Sequence, residues 1–283
     1  MLEWLTEHKI PLGKWVEHGV DAFNDWASVF LDAFSDGLKF LIEGLIDVLL
    51  AVPALLLVVV FAAIAYWVRR SWVLSVSIVL GLLLIINLGY WDETLATLSL
   101  VIFATVLCMV VGVPIGIAAA HRPWLEAALR PVLDLMQTLP TFAYLIPTLI
   151  LFGLGVVPGL ISTVIFAIPA PIRLTTLGIK STPKPLIEAG QAFGCTPTQL
   201  LFKIELPHAM PTIMAGLTQC IMLSLSMVVI AALVGANGLG VPVLRALNTV
   251  NIAKGFEAGL AIVIVAILLD RVFRRPERPG SDN

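Results

Sequence analysis

Residues 94–120, TLATLSLVIFATVLCMVVGVPIGIAAA, carry no charged side chain and lie between Asp92-Glu93 and His121-Arg122. As a helix rising 1.5 Å per residue, this run is long enough to cross the ~30 Å hydrocarbon core of a bilayer. Further uncharged runs share its character, at 48–68, 71–91, 135–153, 156–172, 211–234 and 259–269, the last lengthened by its flanks. The whole chain agrees with them: 59% of its 283 residues are hydrophobic and 13% are charged, whereas a soluble domain carries about 25% charge. With a mean hydropathy of +1.00, the sequence predicts an all-α membrane protein with seven transmembrane helices.

Short loops rich in Lys and Arg stay on the cytoplasmic side of a membrane. Arg69 and Arg70 follow the first run, His121, Arg122 and Arg130 the third, Arg173, Lys180, Lys184 and Lys203 the fifth, and Arg271, Arg274, Arg275 and Arg278 the seventh. The opposite junctions hold Asp92 and Glu93, then no charge between Gly153 and Pro158, then Arg245, Lys254 and Glu257. This alternation predicts an amino terminus outside and a carboxyl terminus in the cytoplasm. It also supports the count of seven, because one missed run would break it. Trp67, Trp72, Tyr90 and Trp91 fall at span ends, where amphipathic rings favour the interface. Gly112, Gly116, Ala119 and Ala120 predict a close helix contact.

Residues 1–47 have another character, with acidic groups at Glu3, Glu7, Glu17, Asp21, Asp25, Asp32, Asp36, Glu43 and Asp47. Val16, Val20, Phe23, Ala27, Phe30, Phe34, Leu38, Leu41 and Leu45 recur three or four apart, so 14–47 reads as an amphipathic helix with a break near Gly37. Its carboxylates forbid a span, and the scarcity of Lys and Arg gives no attraction to anionic lipid. The helix lies either at the outer interface or against a partner helix, and a bracing role alone would also account for it. Met1 to Gly13 has no apolar stretch of signal-peptide type, so no cleavage is expected. Cys108 and Cys220 sit in apolar runs and Cys195 in a polar connection, with no disulfide or zinc spacing.

That connection, residues 180–207, has its own order. Thr196-Pro197-Thr198-Gln199 offers an N-cap hydroxyl, a proline at the first helical position and a glutamine at the third, which starts a helix. Before it, 185–193 reads as a short helix closed by Gly194 in the left-handed conformation. Leu186, Ile187, Ala189, Ala192 and Phe193 are too many apolar residues for a solvated loop. Either they press into a groove of another protein or they pack on their own bundle.

Glu188-Ala189-Gly190, Gly194, Ile204, Leu206 and Pro207 resemble the EAA loop of bacterial ATP-binding-cassette importers. That loop reads Glu-Ala-Ala, three residues, Gly, nine residues, Ile, one residue, Leu-Pro, and only Gly190 departs from it. Such a glycine loosens a helix by roughly 0.5 to 1 kcal/mol. Asp134 to Pro140, Tyr144 to Pro147, Leu151-Phe152-Gly153, Val157-Pro158-Gly159, Ile172 to Thr175, Met210 to Gly216, Ser226 to Ala231 and Gly238-Leu239-Gly240 are similar to the permeases of glycine betaine, proline betaine and choline importers. Trp4-Leu5 and Lys9 to Gly13 resemble choline-type members.

The resemblance implies a MetI-like type I ABC importer permease fold in a bacterial inner membrane. It divides the chain into an extracytoplasmic segment at 1–47, two accessory helices at 48–91, a five-helix core at 92–273 and a cytoplasmic tail at 274–283. It further implies a homodimer with a second permease copy, two cytoplasmic ATPase subunits that hold ATP-Mg, and an extracytoplasmic substrate-binding protein. In this family the loop is the coupling helix in a cleft of the ATPase, so Glu188, Ala189, Gly190, Gly194, Ile204, Leu206 and Pro207 become the coupling residues. The substrate is then a quaternary ammonium compound imported for osmoprotection.

No Gly-x-x-x-x-Gly-Lys stretch occurs, so this chain binds no cofactor of its own and is not an enzyme; ATP hydrolysis falls to a partner. Only 274–283 follow the last run, so substrate delivery also falls to another polypeptide. No basic patch suggests nucleic acid, and His8, His18, His121 and His208 are too scattered for a metal or nucleophile set. An ion-coupled carrier needs ionisable groups near the bilayer centre, whereas Asp134 and Asp270 lie near span ends where Arg130 and Arg271 suffice as partners. An importer of another small solute, such as an amino acid, remains an alternative. In the fourth run Gln137, Thr138, Pro140, Phe142 and Tyr144 are candidates for the translocation path or gate, since aromatic faces attract a quaternary ammonium. A proline kink with packed rings would explain the same residues.

Overall fold

The computed structural model describes residues 12–273, all of them helical or in short connections. The basic tail 274–283 and most of the Trp4 to Gly13 motif lie outside the described residues. The helices are α1 (Leu12–Ala51), α2 (Ala54–Arg69), α3 (Trp72–Leu88), α4 (Trp91–His121), α5 (Pro123–Thr138) and α6 (Phe142–Phe152). They continue with α7 (Val156–Lys180), α8 (Lys184–Ala192), α9 (Pro197–Ala232), α10 (Gly240–Asn248) and α11 (Ile252–Phe273).

At the centre, α4, α7 and α9 pack on one another. Small residues allow it: a Cβ on Gly116 would stand 2.7 Å from the Ile172 carbonyl oxygen and 2.7 Å from Thr175 Cβ. With the backbones this close, the Thr176 hydroxyl donates to the Gly116 carbonyl at 3.1 Å. Thr148 and Ser162 share a hydrogen bond of 2.8 Å between α6 and α7. Large apolar side chains such as Val73, Leu80, Val106, Val110 and Ile267 are exposed, while Thr94, Thr97, Ser99, Thr163 and Ser224 are buried. That inversion suits a bundle whose solvent is hydrocarbon, because the inward hydroxyls of Thr94, Ser99 and Thr163 donate to backbone carbonyls and that of Thr97 accepts from the Leu239 amide, partners that lipid cannot supply.

The accessory helices α2 and α3 share this core. Val58, Ala65, Ile78, Leu82 and Ile85 join Val101, Leu225, Val228, Ala261 and Val265 in one cluster. Trp67 and Trp72 stand exposed at the α2–α3 turn.

Several expectations need correction. The amphipathic helix does not break near Gly37; α1 is continuous to Ala51. The run 48–68 is instead divided at Val52-Pro53, where α1 and α2 meet at 107°, since Pro53 has no N–H to continue the ladder and disfavours a helical backbone at Val52. The run 135–153 is likewise divided: α5 and α6 meet at 98°, with Leu139 and Pro140 in the break. Among the described residues α4, α7, α9 and α11 are long and apolar enough to cross a membrane alone, and each bent pair qualifies only when its halves are taken together. By length and composition this gives four spans, or up to 6 if each bent pair is one span. α3 (Trp72–Leu88), with 17 residues, is a shorter apolar helix besides, so each of the seven expected runs falls on one of these helices or bent pairs. Asp134 also has a different partner from the one expected: it pairs with Arg173 of α7 at 2.5 Å, while Arg130 pairs with Glu126.

Candidate functional site

The corner between α7 and α9 is built by local chemistry. α8 is entered by Pro183 and Pro185 and ends on Phe193. Gly194 follows at φ 77°, a conformation that costs glycine nothing. The Cys195 amide then donates to the Gly190 carbonyl at 3.0 Å and the Gly194 amide to the Gln191 carbonyl at 2.9 Å. These two bonds make a Schellman motif, which satisfies carbonyls that the end of α8 would leave open. One residue later the Thr196 hydroxyl accepts from the Gln199 amide at 3.3 Å and the Gln199 side chain accepts from the Thr196 amide at 2.9 Å. The reciprocal capping box starts α9 at Pro197. The corner is therefore rigid at both helix ends.

Gly190 is buried beneath the first turns of α9. A Cβ there would stand 2.5 Å from Ile204 Cδ1 and 2.9 Å from Leu200 Cδ1. The single departure from the Glu-Ala-Ala pattern thus has a packing reason, because the glycine lets α8 and α9 approach closely. Ile187, Leu200 and Ile204 are half-buried in that contact. Leu186, Phe193 and Phe202 face the other way, and Phe193 is 89% exposed. Of the two readings open for this loop, packing on its own bundle does not account for these three residues. Glu188 and Ala189 are also exposed, Leu206 is half-buried and Pro207 is exposed.

The join between the corner and α9 was not legible in the sequence. Leu201–Glu205 form a π turn, with the Leu206 amide bonded to the Leu201 carbonyl. Such a turn inserts an extra residue and re-aims a side chain. Glu205 is thereby buried, and its carboxylate lies 2.8 Å from His121 Nε2 at the end of α4. Below α5, Lys180 hydrogen-bonds to Glu126. That contact is the chief cause holding the Glu126 carboxyl below the usual carboxylate range, helped by Arg130.

The candidate path residues gather at the α5–α6 bend. Gln137, Thr138, Pro140 and Phe142 are exposed there. Tyr144 is buried, and its hydroxyl donates to the Met136 carbonyl, which closes the end of α5. The bend sets four residues on an open surface and commits the fifth to bracing. At the other end of the bundle, Asp32, Asp36, Lys39 and Glu43 of α1 line a depression of about 320 Å³ with Phe152, 154–158, Gly235 and Asn237.

Comparison with known proteins adds the following. Residues 112–275 match the family described as Binding-protein-dependent transport system inner membrane component. The chain is 49% identical over 257 residues to the glycine betaine transport system permease protein OpuAB of Bacillus subtilis, a match covering 89% of this chain and 91% of that protein. It is 43% identical over 267 residues to the glycine betaine/proline betaine transport system permease protein ProW of Escherichia coli, covering 93% of this chain and 74% of that protein. A solved structure of the MetNI methionine ABC transporter in inward-facing conformations aligns with a TM-score of 0.57 at 23% identity, over 63% of this chain and 92% of the matched chain. That likeness concerns the fold.

Proposed function

The chain belongs to the family of binding-protein-dependent transport system inner membrane components, and from that premise we propose that it is the membrane-spanning permease of an ATP-driven importer for a quaternary ammonium solute of the glycine betaine type. The substrate class rests on the relatives, whose names specify glycine betaine and proline betaine. The observation that carries the coupling is the corner itself: a doubly capped, rigid turn that presents Leu186, Phe193 and Phe202 away from its own bundle. Exposed apolar side chains on a rigid polar corner suit a helix seated in a partner's groove. Glu188, Ala189, Gly190 and Gly194 then form the part that enters an ATPase subunit, and Ile204, Leu206 and Pro207 join it to α9. ATP-Mg belongs to that subunit, and a second copy of the permease and an extracytoplasmic binding protein complete the assembly. The exposed set Gln137, Thr138, Pro140 and Phe142 faces the second copy across the pathway.

The basic junctions place the corner in the cytoplasm, and the acidic α1 with 152–158 outside. The depression shared by α1, Phe152, 154–158, Gly235 and Asn237 supports this, because it sets the carboxylates of Asp32, Asp36 and Glu43 beside the uncharged junction after α6.

The test is uptake into proteoliposomes that hold the permease and its ATPase, with binding protein and labelled glycine betaine added. ATP-dependent uptake is expected. Transport of an amino acid with no betaine uptake would overturn the substrate class, and uptake without ATP would overturn the importer class. Phe193→Asp, at a site 89% exposed, should leave insertion intact and abolish co-purification of the ATPase. Normal co-purification would overturn the docking surface.

A further inference from the structure

Helices α3 and α11 touch at one level and separate at the next. A Cβ on Gly81 would stand 2.8 Å from Ile264 Cγ2 and 3.5 Å from Leu268 Cδ1, so the two helices come together there. Toward the start of α3 and the end of α11 they leave a depression of about 430 Å³. Arg69, Ser71 and Ser77 line it together with Arg271, and Val73 and Ile267 form part of its wall. Two guanidinium groups thus share one hollow, and among the described residues no carboxylate lines it.

The turn that carries Arg69 is held in place. Arg70 closes α2 in the left-handed conformation, at φ 49°, and its amide donates to the Tyr66 carbonyl at 2.6 Å. The Tyr66 and Trp72 rings meet at 4.9 Å across the turn, and the Ser75 hydroxyl donates to the Ala62 carbonyl at 3.2 Å, tying α3 to α2. Ser71 accepts from the Leu74 amide at 3.4 Å, which leaves its own O–H to donate. Arg69 has an interaction of its own, but a guanidinium carries five N–H donors in a planar fork, more than a single partner uses. Arg271 is exposed.

The surfaces around the hollow ask for a ligand with two unlike ends. Two arginine forks suit the oxygens of a phosphate. Below them, Val73, Val76, Leu80 and Ile267 are exposed along α3 and α11, as on a surface that hydrocarbon covers. Trp67 and Trp72 stand exposed at the same turn, where amphipathic rings sit at the level of lipid headgroups. A free phosphate would meet only the upper part of this series. The depression between α5 and α7 offers no such site, because Arg173 faces Asp134 there and both Lys180 and Arg130 face Glu126. Its cations are neutralised within the protein.

We propose that the depression between α3 and α11 binds the phosphate of an anionic phospholipid, held by Arg69 and Arg271 with the Ser71 hydroxyl, with an acyl chain along Val73 and Ile267. Bound there, the lipid bridges the accessory helices and the last core helix, and it stabilises the folded bundle by mass action. The site is independent of which solute is carried and of how the Gly194 corner docks.

The test takes the full-length permease in an uncharged detergent and titrates it with dioleoylphosphatidylglycerol or, for comparison, the zwitterionic dioleoylphosphatidylcholine. Bound lipid is counted by native mass spectrometry. The wild type should prefer phosphatidylglycerol by about tenfold or more, and Arg69→Gln and Arg271→Gln should each weaken its binding about fivefold, the effect of one basic residue beside anionic lipid. Ser77→Phe, at an exposed position of α3, keeps both arginines but fills the hollow, and it should weaken binding as well. Arg70→Asn removes the same charge from the neighbouring residue and suits its left-handed backbone. Since Arg70 does not line the depression, that variant should bind as the wild type does. Equal affinity for the two lipids would overturn the anionic site. Equal losses in Arg70→Asn and Arg271→Gln would leave only diffuse basic charge and overturn a built site. Displacement of the lipid by an excess of inorganic phosphate would assign the hollow to free phosphate and overturn the lipid. Should Arg69→Gln fail to fold, Arg271→Gln and Ser77→Phe decide, and wild-type binding by both would overturn the proposal.

Discussion

Gly194 decides the shape of the corner. Its φ of 77° is open to glycine and tolerated by asparagine, but a β-branched residue there meets its own backbone. Gly194→Val should therefore cost roughly 1 kcal/mol or more and displace the two Schellman bonds that join Gly190 and Gln191 to the turn. Nothing lies within 4 Å of a Cβ at this position, so the penalty is conformational and not a clash. The variant should insert and bind ATPase, yet lose substrate-stimulated hydrolysis and most uptake, while Gly194→Asn keeps much more of both. Equal transport by the two variants would refute the left-handed corner as the working geometry. The sequence disclosed this residue because αL geometry has a compositional signature. It could not disclose Gly190, whose reason is contact with Ile204 and Leu200, nor the His121–Glu205 pair, because partners 84 residues apart leave no local pattern.

Among the elements, α1 joins two roles that its composition keeps apart. Ala27, Leu31, Leu38 and Ile42 form one buried stripe, and Leu38 and Ile42 enter a cluster with Leu100, Ala104, Val157 and Leu160. Phe23, Trp26, Phe30 and Phe34 stay exposed, with Phe30 and Phe34 stacked at 6.1 Å, and the carboxylates of Asp25, Asp32, Asp36 and Glu43 are exposed as well. The three-residue and four-residue spacing revealed an amphipathic helix, but it could not show that the aromatics of α1, Phe23, Phe30 and Phe34 of the apolar stripe among them, all stay exposed. Periodicity gives a face and not a partner. For the same reason the uncharged runs at 48–68 and 135–153 looked continuous, although proline and the packing of neighbours bend both. Ile42→Ala, at a site 0% exposed, should destabilise the bundle by about 2 kcal/mol or more, measured by thermal unfolding in detergent. Truncation of α1 should lower stability further and still leave ATPase co-purifying. A truncated chain that inserted normally yet lost the ATPase would place α1 on the wrong side of the membrane.

For the whole molecule the question is direction across the bilayer, which is decided by the side on which the basic junctions lie. Arg69 and Arg271 line one depression between the α2–α3 turn and the end of α11. His121 meets Glu205, and Lys180 meets Glu126, at the end that carries the Gly194 corner. Asp92 and Glu93 lie a full 31-residue helix away from His121. The junctions that alternate in sequence are therefore separated in space, although two of the intervening runs are bent, because a bent pair can still return the chain to the opposite end. If basic junctions mark the cytoplasm, then single cysteines introduced by Asp25→Cys or Asn248→Cys, with Cys108, Cys195 and Cys220 replaced, should react with an impermeant thiol reagent outside intact spheroplasts. Ser281→Cys should react only after the membrane is opened. Asp25 lies on the exposed side of α1 and Asn248 at the exposed end of α10, so failure to label either from outside could not be ascribed to burial. Labelling of Ser281→Cys in intact cells would reverse the orientation, move the coupling corner outside and remove it from any ATPase, whatever its geometry.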